Sequence, residues 1–439
     1  MKNLIYIAIS LLFTTPLAKA QNTLSVSLND AIQLGWQYRH DLKADSLNVL
    51  ISNSSIQQTK KNLFPDLSLD GNVTYYNNIE QTFVPAGMLG NNQPEKVSLS
   101  AKNNTSFSLD ANYTLYKPGL YTDIKIAKND YALSKEKNIQ KRIEIKQEIM
   151  QAYYEMMLKK IQYKIAKEEE GRYRSYFNLI KGKFKNGAVI ENELKQAELD
   201  YTNAKLNTQK QKQNYELSCY NLKYSINIPE GKAVCFTDSI ETVQNEKFNL
   251  KEGSSISERT EHKQLEIEQN GYRLQLTKAK ENYLPTVSLS AGYSQHFKYK
   301  NFNYSNNFYW YPVDYVGIKV SIPIMQSVKN KESIRQNKYR IEQNEESIQQ
   351  LTNDIQNERG TAIIKLNNAD LNLQTTKKNY QLSEEVFNTQ KQQYELGSFQ
   401  YIDLLNTEKS IHDAQQNYVS AIYDLLIAKL NYEKAIGDL

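Results

Sequence analysis

The stretch KFKNGAVIENELKQAE, Lys183 to Glu198, returns 210 positions later as QYELGSFQYIDLLNTE, Gln393 to Glu408. An aromatic residue (Phe184, Tyr394), a glycine (Gly187, Gly397), an acid (Glu193, Asp403), a leucine (Leu194, Leu404) and a glutamate (Glu198, Glu408) fall in matching places. Neither copy holds a nucleophile, a metal-ligand cluster or a phosphate loop. The repeat is therefore one of architecture rather than chemistry, and a chain that carries it folds as two similar halves.

The pattern between the copies says what those halves contain. Residues 27–61 read as one helix entered through Ser27, with Asp30 in its first turn. At FPDLSLDGNVTYY the period changes to two, with Leu67, Leu69, Val73 and Tyr75 alternating with Ser68, Asp70, Asn72 and Thr74. A polar loop follows, and alternation resumes with Phe107, Leu109, Ala111, Tyr113 and Leu115 until Pro118 and Gly119 stop it. A long helix to about Lys181 and another over residues 190–225 complete the first half.

The second half repeats this order. A helix over residues 257–283 leads to the alternating runs Val287 to Tyr293 and Val316 to Ile324, then to a helix over 328–396, Gly397, and a last helix to about Ile436. Helices of about 65 residues span roughly 100 Å. The last one carries Ile411, Ala414, Tyr418, Ala421, Leu425, Ala428, Tyr432 and Ala435 at spacings of 3 and 4, with a small residue at every second place, which suits a close coiled coil. In the first half Ala204, Ser218 and Ser225 keep the same size rhythm.

Composition agrees with long polar helices: mean hydropathy is −0.67, and the 439 residues include 32 Tyr but only 16 Gly and 9 Pro. Lys2, the apolar run LIYIAISLLF and the small residues at Ala18 and Ala20 predict an export signal over residues 1–20. Gln21 stands where a lipoprotein would need Cys, so no lipid anchor is expected there. Loss of Lys2 and Lys19 takes the formal charge from +5 to +3, a near balance that argues against nucleic acid as a partner. Cys219 and Cys235 could form a disulfide or remain two thiols. Past residue 20 there is no run of about 18 apolar residues, so a membrane would have to be crossed by strands. Four strands do not close a barrel, since bacterial membrane barrels start at about eight. They form either a soluble sheet or a share of a barrel built by several chains.

Taken in order, SLNDAIQLGWQYRHDLKADSL, LFPDLSLDGNVTYY, YLPTVSLSAGYS, VGIKVSIPIMQSVKNKESI and YELGSFQYIDLLNTEKSIHDAQ resemble the TolC-like outer-membrane efflux proteins over essentially the whole mature chain. The resemblance implies an α+β fold made of a duplicated helix-strand-strand-helix-helix unit. The signal is followed by a first repeat at 21–228 (strands about 66–78 and 104–117, tip at 187) and a linker or equatorial segment at 229–253. The second repeat occupies 254–439 (strands about 286–297 and 309–325, tip at 397).

It further implies a homotrimer whose twelve strands close one barrel in outer-membrane lipid and whose helices extend it as a periplasmic coiled-coil α-barrel. Docking to a periplasmic adaptor protein and an inner-membrane transporter is also implied. Phe184, Gly187, Leu194, Tyr394, Gly397 and Leu404 match the tips that receive the adaptor. Asp403 matches a carboxylate ring at the tunnel's constriction. A second acidic ring falls on Asn406 and a gate arginine on Phe399, two departures from the family's pattern. Tyr394 and Glu193 match a pair that links neighbouring tip helices. For Asp403 and Glu193 a solvated helix face is the alternative reading.

The expected function is a passive exit duct with no cofactor and no bond chemistry. His40, His262, His296 and His412 are scattered, and no HExxH, GxSxG or Walker-type loop occurs. The alternatives are the exit duct of a type I protein-secretion system and a periplasmic coiled-coil scaffold outside any membrane.

Overall fold

The computed structural model describes residues 24–88, 90, 92–98, 100–228, 234–237, 255–324 and 326–439; the expected export signal lies outside them, as does most of the 229–253 segment. Seven α-helices are described: α1 (Leu28–Tyr38), α2 (His40–Lys61), α3 (Leu120–Lys185), α4 (Glu191–Ile226), α5 (Thr260–Glu281), α6 (Gln326–Glu395) and α7 (Tyr401–Ile436). The strands are β1 (Leu24–Val26), β2 (Asp66–Tyr75), β3 (Thr82–Val84), β4 (Glu95–Val97), β5 (Asn103–Tyr116), β6 (Val234–Phe236), β7 (Thr286–Tyr299) and β8 (Trp310–Ser321). The duplication is visible in lengths, for α2 and α5 each have 22 residues and α4 and α7 each have 36. None of the described helices is long and apolar enough to cross a membrane.

Contacts divide the described residues into two compact units, one drawn from residues 24–46, 138–260 and 351–439, the other from Leu47–Lys137 and Glu261–Gln350. The first is helical. Its start is set by Ser27, whose hydroxyl accepts from the Asp30 amide at 3.2 Å while the Asp30 carboxylate accepts from the Ser27 amide at 3.1 Å, a reciprocal cap.

The expected single helix over 27–61 is broken in two. Arg39 leaves the helix at φ −62°, ψ 124° with no Pro or Gly to force it. Tertiary hydrogen bonds hold the break: the Asn227 amide donates to the Tyr38 carbonyl at 2.9 Å, and the Arg39 guanidinium donates to Glu148 at 2.6 Å and to the Ser225 carbonyl at 3.2 Å. Beside them β1 and β6 pair in parallel, burying Val26 and Phe236 against Tyr153. Cys219 is a free, half-buried thiol on α4.

In this unit α7 carries the expected seam, with Ile411, Ala421, Leu425, Ala428, Tyr432 and Ala435 buried. It also carries a second one, in which Leu404, Glu408, Val419, Ile422, Leu426 and Leu430 are buried as well. The reason is that α7 lies between two helices. Val419 packs on Leu158 and Ile165 of α3, and Tyr418 stacks on Tyr380 of α6 at 5.7 Å.

The second unit holds an antiparallel sheet in the order β2-β5-β7-β8. Directly paired residues share a face, and the register runs Leu67, Ala111, Ala291, Val316 and Leu69, Leu109, Tyr293, Asp314 across the sheet on one, largely apolar, side. The other side reads Ser68, Asp110, Gly292, Tyr315 and Asn72, Ser106, His296, Tyr311. The apolar side stands uncovered, with Leu69 78% and Val316 79% exposed. At Gly292 a Cβ would collide with the Tyr315 ring, which crosses it to donate its hydroxyl to Asp110 at 2.9 Å. Strand β2 ends at Tyr75 and β8 at Ser321, short of the expected 78 and 325. The segment between β2 and β5, read from the sequence as a polar loop, contains the small hairpin β3-β4. Among the described residues β2 and β8 are free edges of the four-stranded sheet.

Candidate functional site

The two copies of the opening stretch form helix-ending turns built on one plan. Gly187 and Gly397 take φ of +72° and +80°, a region that costs any residue with a Cβ. After α3 the Gly187 amide donates to the Phe184 carbonyl at 3.0 Å and the Ala188 amide to the Lys183 carbonyl at 2.9 Å. After α6 the Gly397 and Ser398 amides donate to the Tyr394 and Gln393 carbonyls, both at 3.0 Å. These paired bonds satisfy carbonyls that a helix end leaves without partners. A Cβ on either glycine would meet nothing within 4 Å, so glycine is needed there for its dihedral and not for space.

Behind the turns the two hairpins, α3-α4 and α6-α7, share an aromatic cluster. Tyr176 and Ile180 of α3, Ala197 of α4, Phe387 and Tyr394 of α6, and Tyr401, Leu404 and Ile411 of α7 are all buried in it. Tyr394 meets the edge of Tyr176 at 6.3 Å and lies 6.1 Å from Tyr401, with the Lys183 ammonium 4.7 Å from its own ring centre. Such edge and cation contacts each add of the order of 1 kcal/mol to the burial itself. The Tyr401 hydroxyl donates to Asp200 of α4 at 3.1 Å.

A charged group sits in the same interior. Glu408 is 0% exposed. Its carboxylate accepts from Arg172 Nε at 3.0 Å on both oxygens and from the Tyr176 hydroxyl at 2.8 Å. Burial pushes the Glu408 carboxyl up, while Arg172 and Tyr176 pull it back down. The Arg172 guanidinium also lies 5.4 Å over the Phe387 ring of α6. One turn further along α7, His412 Nδ1 stands 3.2 Å from Glu169 of α3, and this contact raises the imidazole above its ordinary value. Between α3 and α6 an open groove of about 550 Å³ is lined by Glu168, Arg172, Ser175, Lys391, Tyr394 and Glu395.

The residues singled out in the sequence fall into three environments. Asp403 and Asn406 are exposed on the first turns of α7, and Glu193 is exposed on the first turn of α4. Phe184 is 38% exposed at the first tip, Gly187 and Gly397 are exposed, and Leu194 and Phe399 are half-buried against the cluster. Tyr394 and Leu404 are buried, Leu404 completely. The Tyr394 hydroxyl is pushed up first by burial and second by the charge of Glu193, but among the described residues no hydrogen bond joins the two. Arg172, Tyr176, Tyr401 and Asp200 drew no attention in the sequence, and Glu408 did so only as a repeated letter. The spacing of α7 gave no signal for it, because the seam carried back from Ile411 by 4 and 3 falls on Thr407 and Leu404 and passes Glu408 by.

Comparison with known proteins matches residues 31–227 and 255–438 to the model of the outer membrane efflux protein family. Among solved structures, CusC is 16% identical with a TM-score of 0.73, covering 94% of this chain and 93% of that one. The open-state MtrE outer membrane channel of Neisseria gonorrhoeae is 16% identical with a TM-score of 0.72, covering 93% and 88%. The CmeC outer membrane channel of Campylobacter jejuni is 16% identical with a TM-score of 0.70, covering 93% and 85%. No curated protein matches the chain.

Proposed function

The chain belongs to the outer membrane efflux protein family, and from that premise we propose that it is the outer-membrane exit duct of a tripartite efflux system. In this reading it passes small molecules passively from an inner-membrane transporter and a periplasmic adaptor to the exterior. The observation that carries it is the sheet in the second unit: four strands of 10 to 14 residues, one apolar face left uncovered and two free edges. Lipid accepts such a face, but it does not accept unpaired edges, so the strands must be completed by other copies. Three copies pair β8 of one with β2 of the next and close twelve strands. The polar face, with Asp110, His296 and Tyr315, then lines water.

The tips supply the periplasmic contacts. Phe184, Gly187, Leu194 and Gly397 form the adaptor-docking surface, and Leu404 supports it from beneath. Asp403 rings the constriction three times, with Asn406 supplying no second ring of charge. Tyr394, Glu193 and Phe399 belong to the gate.

The test has two parts. Membrane fractionation should recover heat-stable trimers from outer membranes, and recovery in the soluble fraction after osmotic shock would refute the duct. Gly397→Trp places a large ring in the open space beside the turn, where a partner's helices would approach. It should leave the trimer intact, abolish cross-linking to the adaptor and lower efflux. Unchanged cross-linking would show that docking lies elsewhere.

A further inference from the structure

We infer that the buried Glu408 and Tyr176, with the half-buried Arg172, form the clasp that holds the two helical hairpins of each chain together at the resting tip, taking over where Phe399 stands in the place of a gate arginine. The inference rests on the duct reading and adds the residues that keep the duct shut.

The clasp joins three helices at one point. Arg172 and Tyr176 come from α3 and Glu408 from α7, while the face of Phe387 on α6 receives the Arg172 guanidinium. All carboxylate contacts lie between 2.8 and 3.0 Å, and Glu408 has no exposure to water. A buried charge so bound is costly to separate, because moving either helix leaves an ion unpaired in an apolar interior. The groove beside it reaches Arg172 and Tyr176 from the open side. A partner docking there would meet the clasp without first unfolding the tip.

The internal repeat gives the control. Counted by the 210-residue offset, Glu408 corresponds to Glu198, Arg172 to Leu382 and Tyr176 to Val386. Glu198 is exposed, and Leu382 and Val386 are 59% and 43% exposed. The α4 side of the repeat thus kept the glutamate but lacks both of its partners. In an assembly of copies that face of α4 meets a neighbour without a clasp, so the charged lock belongs to the seam inside each chain.

The test is single-channel conductance of purified trimers in a planar bilayer, with trimer content and thermal stability measured on the same samples. Glu408→Leu should raise the closed-state conductance at least threefold, because the half-buried Arg172 loses the carboxylate that ties α3 to α7. Arg172→Met should do the same. The double variant Arg172→Met, Glu408→Leu should conduct less than either single one, since neither charge is left without its partner and two apolar side chains meet across the seam. If Glu408→Leu does not assemble, Glu408→Gln and Tyr176→Phe preserve volume and remove the charge or one bond, and each should still raise conductance.

Parent-like conductance in assembled Glu408→Leu or Glu408→Gln overturns the clasp. So does a double variant whose increase equals the two single increases combined. A parent trimer that does not conduct at all would instead overturn the duct reading on which the clasp depends.

Discussion

Replacing Gly397 by alanine isolates one energetic contribution. The backbone at this position has φ of +80°, and nothing lies within 4 Å of the place a Cβ would take, so the change adds left-handed strain and no collision. That strain is worth about 1–2 kcal/mol, which multiplies the equilibrium constant for local opening by roughly 5 to 30. The molecule itself supplies the comparison residue. Helix α7 ends at Gly437 with φ +80°, and 210 positions earlier α4 ends at Asn227 with φ +59°, making the same bonds through the amides of residues 227 and 228. Asparagine is therefore accepted in this type of turn, and Gly397→Asn should cost under about 1 kcal/mol because its side chain bonds locally. Native-state hydrogen exchange of the peptide spanning residues 393–400 reads the effect, since the Gly397 and Ser398 amides define the turn. Exchange should accelerate by roughly 5 to 30-fold in Gly397→Ala and less in Gly397→Asn, and Gly187→Ala should match the first at its own tip. An alanine variant that exchanges like the parent, or an asparagine variant faster than alanine, would refute the argument from φ.

If Asp403 rings the constriction, trivalent cations added from the periplasmic side should block conductance; Asp403→Ala should remove most of the block and Asn406→Asp should strengthen it, as a blocker titration would show. His412 is raised first by its contact with Glu169 of α3 and further by the charge of its neighbour Asp413, against its own burial and the charge of Arg172. The stability it contributes is therefore full below the imidazole's ordinary value near 6.5 and lost as pH rises through its higher folded value. His412→Gln should flatten that part of a stability-against-pH curve, and an unchanged slope would place the effect elsewhere. Phe297 is 0% exposed among Tyr299, Tyr304, Tyr309 and Trp310, so Phe297→Ala should destabilise the sheet by about 3–5 kcal/mol, measurable as a lower midpoint of thermal unfolding in detergent.

What the amino-acid sequence determined by itself was everything that depends on neighbours along the chain. Two glycines at equal offset announced two left-handed turns, because only glycine takes that dihedral without strain. Alternation of Leu67 to Tyr75 and Phe107 to Leu115 announced strands with one apolar face, because side chains on a strand alternate. Ser27 and Asp30 announced a helix start, because both halves of that cap lie within four residues.

The tertiary structure decided the rest. The break at Arg39 is made by Glu148, Ser225 and Asn227, which lie over 100 positions away in the chain. Strands β1 and β6 are three residues each, too short to show a period, and exist because they pair with one another. The matched letters of the opening stretch show the limit most plainly: Leu404 and Glu408 are completely buried, whereas Leu194 is half-buried and Glu198 exposed. The same local pattern built the same helix in both places. The burial differs because α7 has α3 on one side and α6 on the other, so that a second face of the helix, invisible in the repeat, lost its water.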